Sequence, residues 1–326
     1  MRTDAAAYWL REPGLGEIRP VVLPEPGPGD VVVRTLRSGI SRGTESLVFR
    51  GGVPSSQYAA MRAPFQEGDF PGPVKYGYLN VGVVEQGPDG LVGQTVFCLY
   101  PHQSRYVVPA EAVSVVPDGV PPDRAVLAGT VETAVNALWD AAPRVGDAVA
   151  VVGAGMVGCC VARLLAHFPG VRVTLVDALD ERAKVASSLG VQFATPQDDL
   201  GPCDVVVHAS GTSEGLQRSI DLLATEGTVV DLSWYGAAEV RLHLGGAFHS
   251  QRLSIRASQV GAVAAARRAN HTRAQRLALA LELLRDPAFD ALLTGRTAFA
   301  DLPTAMAGLN GGGSSTLCHI VTYEGH

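Results

Sequence analysis

The sequence predicts an α/β chain made of two unlike parts, and three observations carry this. Through residue 119 the chain reads as short runs rich in Val, Tyr and Thr, bounded by Gly and Pro, which is the pattern of strands and turns. From Pro122 on, helical periodicity alternates with short apolar runs, the pattern of strands covered by helices. The first of those apolar runs, Val149-Ala150-Val151-Val152, passes directly into Gly153-Ala154-Gly155-Met156-Val157-Gly158.

In the first part, strands are expected over 18–23, 30–38, 79–85, 95–100 and 104–108. A helix is expected over 123–141. Strands at 148–152, 171–176, 205–209, 228–232 and 253–257 then alternate with helical stretches. A helix over 272–285 places Leu277, Leu281 and Leu284 on one face. After Pro287 come a strand-like segment, a helix from Pro303 and a last strand over 317–323.

Each part of the glycine run has a mechanical task. Gly153 allows a tight turn, Gly155 lets a pyrophosphate approach the backbone, and Gly158 lets helix and strand pack closely. The helix that follows offers free N–H groups and a partial positive charge to an anion. The next strand ends in Asp177, where a carboxylate accepts hydrogen bonds from ribose hydroxyls. Strand, glycine turn, helix and acid together predict a Rossmann dinucleotide-binding domain. The cofactor set is Gly153, Ala154, Gly155, Met156, Val157, Gly158, Asp177 and Arg182, with Ser210 just past the strand at 205–209. Asp177 repels a 2′-phosphate and is followed by Ala178 and Leu179, not by a base, which favours NAD over NADP. The alternative is that Arg182 swings back to hold a phosphate.

The chain of 326 residues suits two domains and a sizeable core. It has no uninterrupted apolar run of the ~18 residues a membrane span needs. Met1-Arg2-Thr3-Asp4 carries an acid and lacks a signal-peptide stretch, so a soluble cytoplasmic protein is expected. The net charge of −6, without a basic cluster, argues against nucleic acid and membrane as partners. The five cysteines are scattered, and Cys159 and Cys160 suit apolar packing in a buried helix better than disulfides or metal.

This order resembles the medium-chain dehydrogenase/reductase superfamily over nearly the whole chain. The resemblance implies a GroES-like catalytic domain at 1–119 and 288–326 around a Rossmann domain at 120–287. Several segments carry it beside the glycine run. Gly39-Ile40-Ser41-Arg42-Gly43-Thr44-Glu45 is similar to the family's G-I-C-(x)-[ST]-D segment. Gly77-Tyr78-Leu79 stands where the family has Gly-His-Glu, and Gly93-Gln94-Thr95-Val96 resembles its G-D-x-V. Glu132 falls in a helix that often supplies a metal ligand, and residues 184–190 match A-x-x-L-G. Ser38 to Glu45 also resembles the opening of zinc-lacking dehydrogenases that oxidise the hydroxyethyl side chain of bacteriochlorophyllide, and of actinobacterial alcohol dehydrogenase-like proteins. That implies a secondary alcohol or ketone on a larger, partly aromatic molecule of specialised metabolism.

The pattern departs from the family where zinc is held. The three ligand positions read Ser41, Tyr78 and Glu132, a poor set for the ion, and the four-cysteine lobe is missing. No metal is therefore expected; the rival is a rebuilt site using His102. Without zinc, hydrogen-bond donors must stabilise charge on the substrate oxygen. The candidates are Ser41, Thr44, Tyr78, Lys75 and His102. Thr44 matches the family's proton-relay hydroxyl if Gly43 is an insertion, and Arg42 matches a base that reaches the cofactor pyrophosphate. Tyr78 is either catalytic or a filler of the space left by zinc. His102 reads as a loop residue beside Pro101, more often a surface group than an acid–base one. Glu132 bonds a neighbouring backbone group or orients Lys75 or Tyr78. The long connection 51–73, with Tyr58, Met61, Arg62, Phe65, Gln66 and Phe70, suits a lid or specificity surface.

The expected function is zinc-independent, NAD-dependent interconversion of a secondary alcohol and a ketone. Reduction of an activated double bond is the alternative within the same superfamily, and nucleotide sensing without catalysis is the alternative outside it. A homodimer joined through the nucleotide-binding domains is expected from the resemblance and from the sheet edge that the segment 253–261 would expose.

Overall fold

The computed structural model describes residues 5–311 and 315–324. These form two compact units, Met1–Gly129 with Leu281–Arg285 and Leu293–His326, and Thr130–Ala280 with Asp286–Leu292. The expected boundary at 119/120 lies ahead of the first crossing, because Pro122–Ala125 and Val126 pack with the first unit. A Cβ on Gly39 would lie 3.3 Å from Val126. The single helix expected over 123–141 is accordingly two, Pro122–Ala125 and Ala128–Ala141, broken where Val126 and Leu127 turn inward.

The spine of the first unit is the strand Asp30–Ser41. It pairs antiparallel with Asn80–Gln86, Arg105–Pro109 and Cys318–Thr322. Val31, Val33, Val84, Val96, Tyr106 and Val108 close the core behind it. A second sheet, in the order Leu15–Val21, Ala5–Glu12, Val74–Lys75, Glu67–Gly68, contains a strand that sequence reading missed. Ala5–Glu12 has no regular alternation, and its one local signal is the turn at Pro13-Gly14, where Gly14 has φ +82°. The segment after Pro287 forms a short helical turn, Pro287–Leu292, before the strand Leu293–Ala298.

The second unit is a six-stranded parallel sheet. Its order is Gln192–Ala194, Arg172–Val176, Ala148–Val152, Cys203–His208, Leu223–Asp231, Ser254–Ala257. The chain starts in the middle, runs to one edge, then crosses back. The order therefore reverses between Ala148–Val152 and Cys203–His208, which is where such sheets bind ligands, outside the strands' carboxyl ends. All five cysteines are buried, and among the described residues no disulfide forms. Among the described residues no helix is long and apolar enough to cross a membrane.

Within this unit the helices Ala128–Ala141 and Arg273–Leu283 are joined by a buried ion pair. Glu132 Oε1 lies 3.0 Å from Nε of Arg276, which is 1% exposed. The same guanidinium donates to Asn136 and to the carbonyls of Val260 and Ala262, so its hydrogens are well used. Removing one partner of such a pair strands a buried charge. Glu132→Ala is expected to lower stability by about 3–5 kcal/mol in urea denaturation; a loss under about 1 kcal/mol would show that the pair carries little.

Candidate active site

Two clusters, one in each unit, hold the sequence-predicted residues. In the first unit the strand Asp30–Ser41 runs straight into the helix Arg42–Phe49, with Ser41 as N-cap. Glu45, one turn in, folds back and its Oε1 accepts the Ser41 N–H at 2.7 Å. This is a relative of the capping box, and the helix N-terminus favours the negative charge. Glu45 is nevertheless buried, at 3% exposure. Its second oxygen faces His102 Nε2 at 2.8 Å, while His102 Nδ1 faces Ser38 Oγ at 2.7 Å and Ser38 Oγ faces Tyr323 Oη at 2.8 Å. A carboxylate only accepts, so Nε2 carries hydrogen; Ser38 then donates to Nδ1 of the neutral ring and accepts from Tyr323.

Tyr78 closes the cluster. The side chains of Ser41 and Thr44 act on its hydroxyl as partners that favour the ionised form. Burial pushes its phenol up to about 12 and Glu45 adds to this, while the two hydroxyl partners pull the other way. At neutral pH it is a proton-bearing donor. Gly77 makes the arrangement possible: it has φ +132°, and a Cβ there would lie 2.9 Å from the His102 ring. Ring contacts then run outward from Tyr78 to Tyr76, Phe70 and Tyr58, with centroids 6.0, 5.6 and 5.7 Å apart. The long connection 51–73 is thus tied to Tyr78 through aromatic packing.

Three expectations need correction. His102 is no surface residue: it is 1% exposed, because the strand Ala5–Glu12 covers its loop and Tyr8 N–H bonds its carbonyl at 2.9 Å. Lys75 does not stand free for a substrate. Its ammonium donates to Glu67 and to Gln103 Oε1 at 2.8 Å, and lies 5.2 Å from the Tyr100 ring centre. Burial lowers its pKa, with Glu67 opposing that shift. Glu132 orients neither Lys75 nor Tyr78; its partner is Arg276. Glu45, Ser38 and Tyr323 were overlooked as site residues. Glu45 stands in the run from Gly39 to Glu45, whose sequence signal lies in the hydroxyls of Ser41 and Thr44 and in Arg42. Arg42 donates to the Thr316 carbonyl at 3.0 Å.

In the second unit the glycine turn has the shape its sequence implies. Gly153 has φ +107° and a Cβ on it would lie 2.6 Å from Ser210 N; a Cβ on Gly158 would lie 1.9 Å from the Gly153 carbonyl oxygen. Beside Gly155 there is open space, with no neighbour within 4 Å of its Cβ position. The helix Met156–Leu165 starts there, with Ala154 and Met156 buried and Val157 half-buried. Asp177 Oδ2 accepts Ala154 N–H at 2.7 Å and Oδ1 accepts Leu179 N–H at 2.9 Å, which fixes the carboxylate beside the turn. Arg182 is turned inward, at 6% exposure. Ser210 Oγ lies 2.7 Å from His208 Nε2. An open glycine, a helix N-terminus and a fixed acid suit a dinucleotide. The zinc positions do not suit zinc. Where the resemblance puts its ligands, Ser41 and Tyr78 offer neutral hydroxyls and Glu132 is held by Arg276. Among the described residues no three His, Cys, Asp or Glu side chains gather as a metal site.

No family model matches the sequence. The chain is 25% identical over 138 residues to an uncharacterised zinc-type alcohol dehydrogenase-like protein of Haemophilus influenzae. That alignment covers 39% of this chain and 40% of the relative. It is 31% identical over 144 residues to a protein described as probable D-xylulose reductase A of Aspergillus terreus, covering 38% and 40%. The chain thus spans less than half of these curated relatives. The solved structure of a short chain alcohol dehydrogenase from Escherichia coli, complexed with NADH, superposes with a TM-score of 0.77 at 17% identity, over 98% of this chain and 99% of that one. The 2R,3R-butanediol dehydrogenase of Bacillus subtilis gives 0.78 at 18%, over 98% and 100%. The fold is that of the alcohol dehydrogenases. It comprises a Rossmann unit and a GroES-like β-rich unit.

His102→Ala would leave the Glu45 carboxylate buried with Ser41 N–H as its remaining hydrogen-bond donor among the described residues. Stability is expected to fall by roughly 3 kcal/mol in chemical denaturation. An unchanged midpoint would remove the network from the supports of the fold.

Proposed function

We propose that the chain is an NAD(H)-dependent oxidoreductase that interconverts a secondary alcohol and a ketone without zinc. The observation that carries this is the Tyr78–Ser41–Thr44 hydroxyl cluster, standing where the resemblance puts zinc ligands and a proton-relay hydroxyl. A bound nicotinamide supplies the hydride acceptor or donor. Asp177 receives the ribose hydroxyls, and the helix start at Met156 offers its first N–H groups to the pyrophosphate, the Gly153 and Ala154 N–H groups being held by Val176 and Asp177. Tyr78 Oη donates its hydrogen to the substrate oxygen, and its raised pKa keeps that hydrogen in place at neutral pH. Thr44 and Ser41 orient the phenol and pass a proton along their hydroxyls. One aimed donor contributes roughly 3 kcal/mol to the transition state.

The aromatic chain from Tyr78 to Tyr58 supports a larger, partly aromatic substrate. The strand Ser254–Ala257 ends the parallel sheet with an unpaired edge and supports a homodimer joined there. Native mass spectrometry addresses dimer and metal together. A dimer mass without bound zinc is expected; a monomer at micromolar concentration, or one zinc per chain, would count against the respective proposal.

Isothermal titration is expected to give tighter binding of NAD(H) than of NADP(H), with Asp177→Ala narrowing the gap. Tighter binding of the phosphorylated form by the unaltered chain would reverse the cofactor assignment.

Tyr78→Phe keeps the ring and removes the hydroxyl. Turnover of an aromatic secondary alcohol that the unaltered enzyme accepts is expected to fall on the order of 100-fold, with cofactor affinity unchanged. The pH profile of the unaltered enzyme should show no ionisation of Tyr78 below about pH 10, since burial pushes its phenol up to about 12. Full turnover in the variant would take the role of donor away from this residue.

A further inference from the structure

One aromatic side chain of the long connection 51–73 stands outside the series from Tyr78 to Tyr58. The Phe65 ring instead lies 5.3 Å from that of Tyr100, which stacks on Tyr106 at 3.9 Å. Phe65 has φ +55°, the left-handed region that a bulky aromatic residue rarely adopts. It is also 38% exposed, so burial of its ring does not account for the strain. Polar bonds hold the turn in this form. Arg62 donates to the Gln66 and Gly68 carbonyls at 3.0 and 3.1 Å, and Gln66 Oε1 accepts the Ala63 N–H at 3.1 Å. Strain of this kind persists only where the surroundings impose it, and it gathers at binding sites.

Beside this ring lies a cavity of about 360 Å³, a size that suits a small ligand. Its apolar lining includes Val22, which is 60% exposed, with Leu23 and Val107. Its polar side chains are bonded to one another. Gln103 Oε1 accepts from Lys75 at 2.8 Å, and its Nε2 donates to the Arg105 carbonyl at 2.7 Å. Gln66 Nε2 donates to the Gly68 carbonyl at 3.4 Å. Lys75 gives its hydrogens to Glu67 Oε1, Gln103 Oε1 and the Tyr100 hydroxyl.

The exception is the other oxygen of Glu67. Among the described residues Oε2 has no hydrogen-bond partner, and the side chain is 56% exposed. The cavity thus offers an acceptor and no free side-chain donor. An incoming group must bring an N–H or O–H of its own. An anion finds no hydrogen to receive it. A cation meets the Lys75 ammonium, whose charge already balances Glu67. What fits is a neutral molecule with an aromatic face for Phe65 and a single donor.

We propose that this cavity binds a neutral aromatic molecule carrying one N–H or O–H, of the indole or phenol class. Its ring lies against Phe65 and its hydrogen goes to Glu67 Oε2. The site uses neither the Tyr78 hydroxyls nor the glycine turn, so it stands whether or not the proposed reaction does.

The test uses the full chain in calorimetry, with indole as probe and N-methylindole as the same ring without the hydrogen. One indole per chain is expected, with N-methylindole about 5- to 10-fold weaker. Benzoate and benzylammonium are expected not to displace indole. Phe65→Gly removes the ring and takes the turn's φ without strain. It is expected to weaken indole about 10-fold. Glu67→Gln keeps an oxygen for Lys75 and puts an NH2 in place of the free one. It is expected to abolish the preference for indole over N-methylindole. That preference is read within one variant, so a general loss of stability does not imitate it. No indole binding by the unaltered chain at millimolar concentration overturns the proposal. So do equal affinities for the two probes, an unchanged preference in Glu67→Gln, or unchanged indole affinity in Phe65→Gly.

Discussion

A carboxylate inside the β-rich unit sets the terms for everything around it. Glu45 cannot stay charged there without donors, since an unpaired buried ion costs several kcal/mol or more. The chain supplies Ser41 N–H at 2.7 Å and His102 Nε2 at 2.8 Å. Each donor imposes a further condition. The Ser41 bond fixes the step from strand Asp30–Ser41 to helix Arg42–Phe49, and with it the serine and threonine hydroxyls. The His102 bond draws a loop inward, and that loop needs the strand Ala5–Glu12 above it and a residue without Cβ at position 77 below it. Tyr78 is the next residue. Its place beside Ser41 and Thr44 is therefore a consequence of how Glu45 is satisfied.

The parallel unit is governed by a different constraint, close backbone approach. Gly153 backs on Ser210 and Gly158 on the carbonyl of Gly153, at distances no side chain tolerates. These contacts bring the ends of two neighbouring strands together at the reversal of the sheet. The helix that starts at Met156 then presents its N-terminus beside Asp177. The same closeness puts Ser210, and through it His208 and Asp231, at the edge of that turn. Ordinary packing of glycines thus decides which polar groups a ligand would meet.

What was legible in the sequence follows from range. The strand Ala148–Val152, the glycine turn and the helix after it are coded within one stretch, by apolar run and glycine spacing, and they stand where that stretch implies. The buried polar pairs are not coded locally. Glu45 and His102 are 57 residues apart, and Glu132 and Arg276 are 144 apart. No periodicity links such partners, so His102 read as a loop residue and Glu132 as a neighbour of Lys75. Lys75 looked available because an isolated lysine in sequence always does; Glu67, Gln103 and the Tyr100 ring absorb it only in three dimensions. The strand Ala5–Glu12 was missed for a related reason. Its pairing to Leu15–Val21 and its cover over His102 give it its form, not its own pattern.

A hydroxyl that replaces a metal faces two conditions. A zinc ion contributes several kcal/mol to a developing oxyanion without regard to proton position. A phenol must carry its hydrogen and must point it. Burial beside Glu45 meets the first condition, because it raises Tyr78 to about 12 and keeps the hydrogen on. The second falls to the Ser41 and Thr44 hydroxyls, which also pull the pKa down. A nearby carboxylate opposes that pull. Burial first, and then the carboxylate that organises this unit, therefore raise the proton affinity of the Tyr78 hydroxyl.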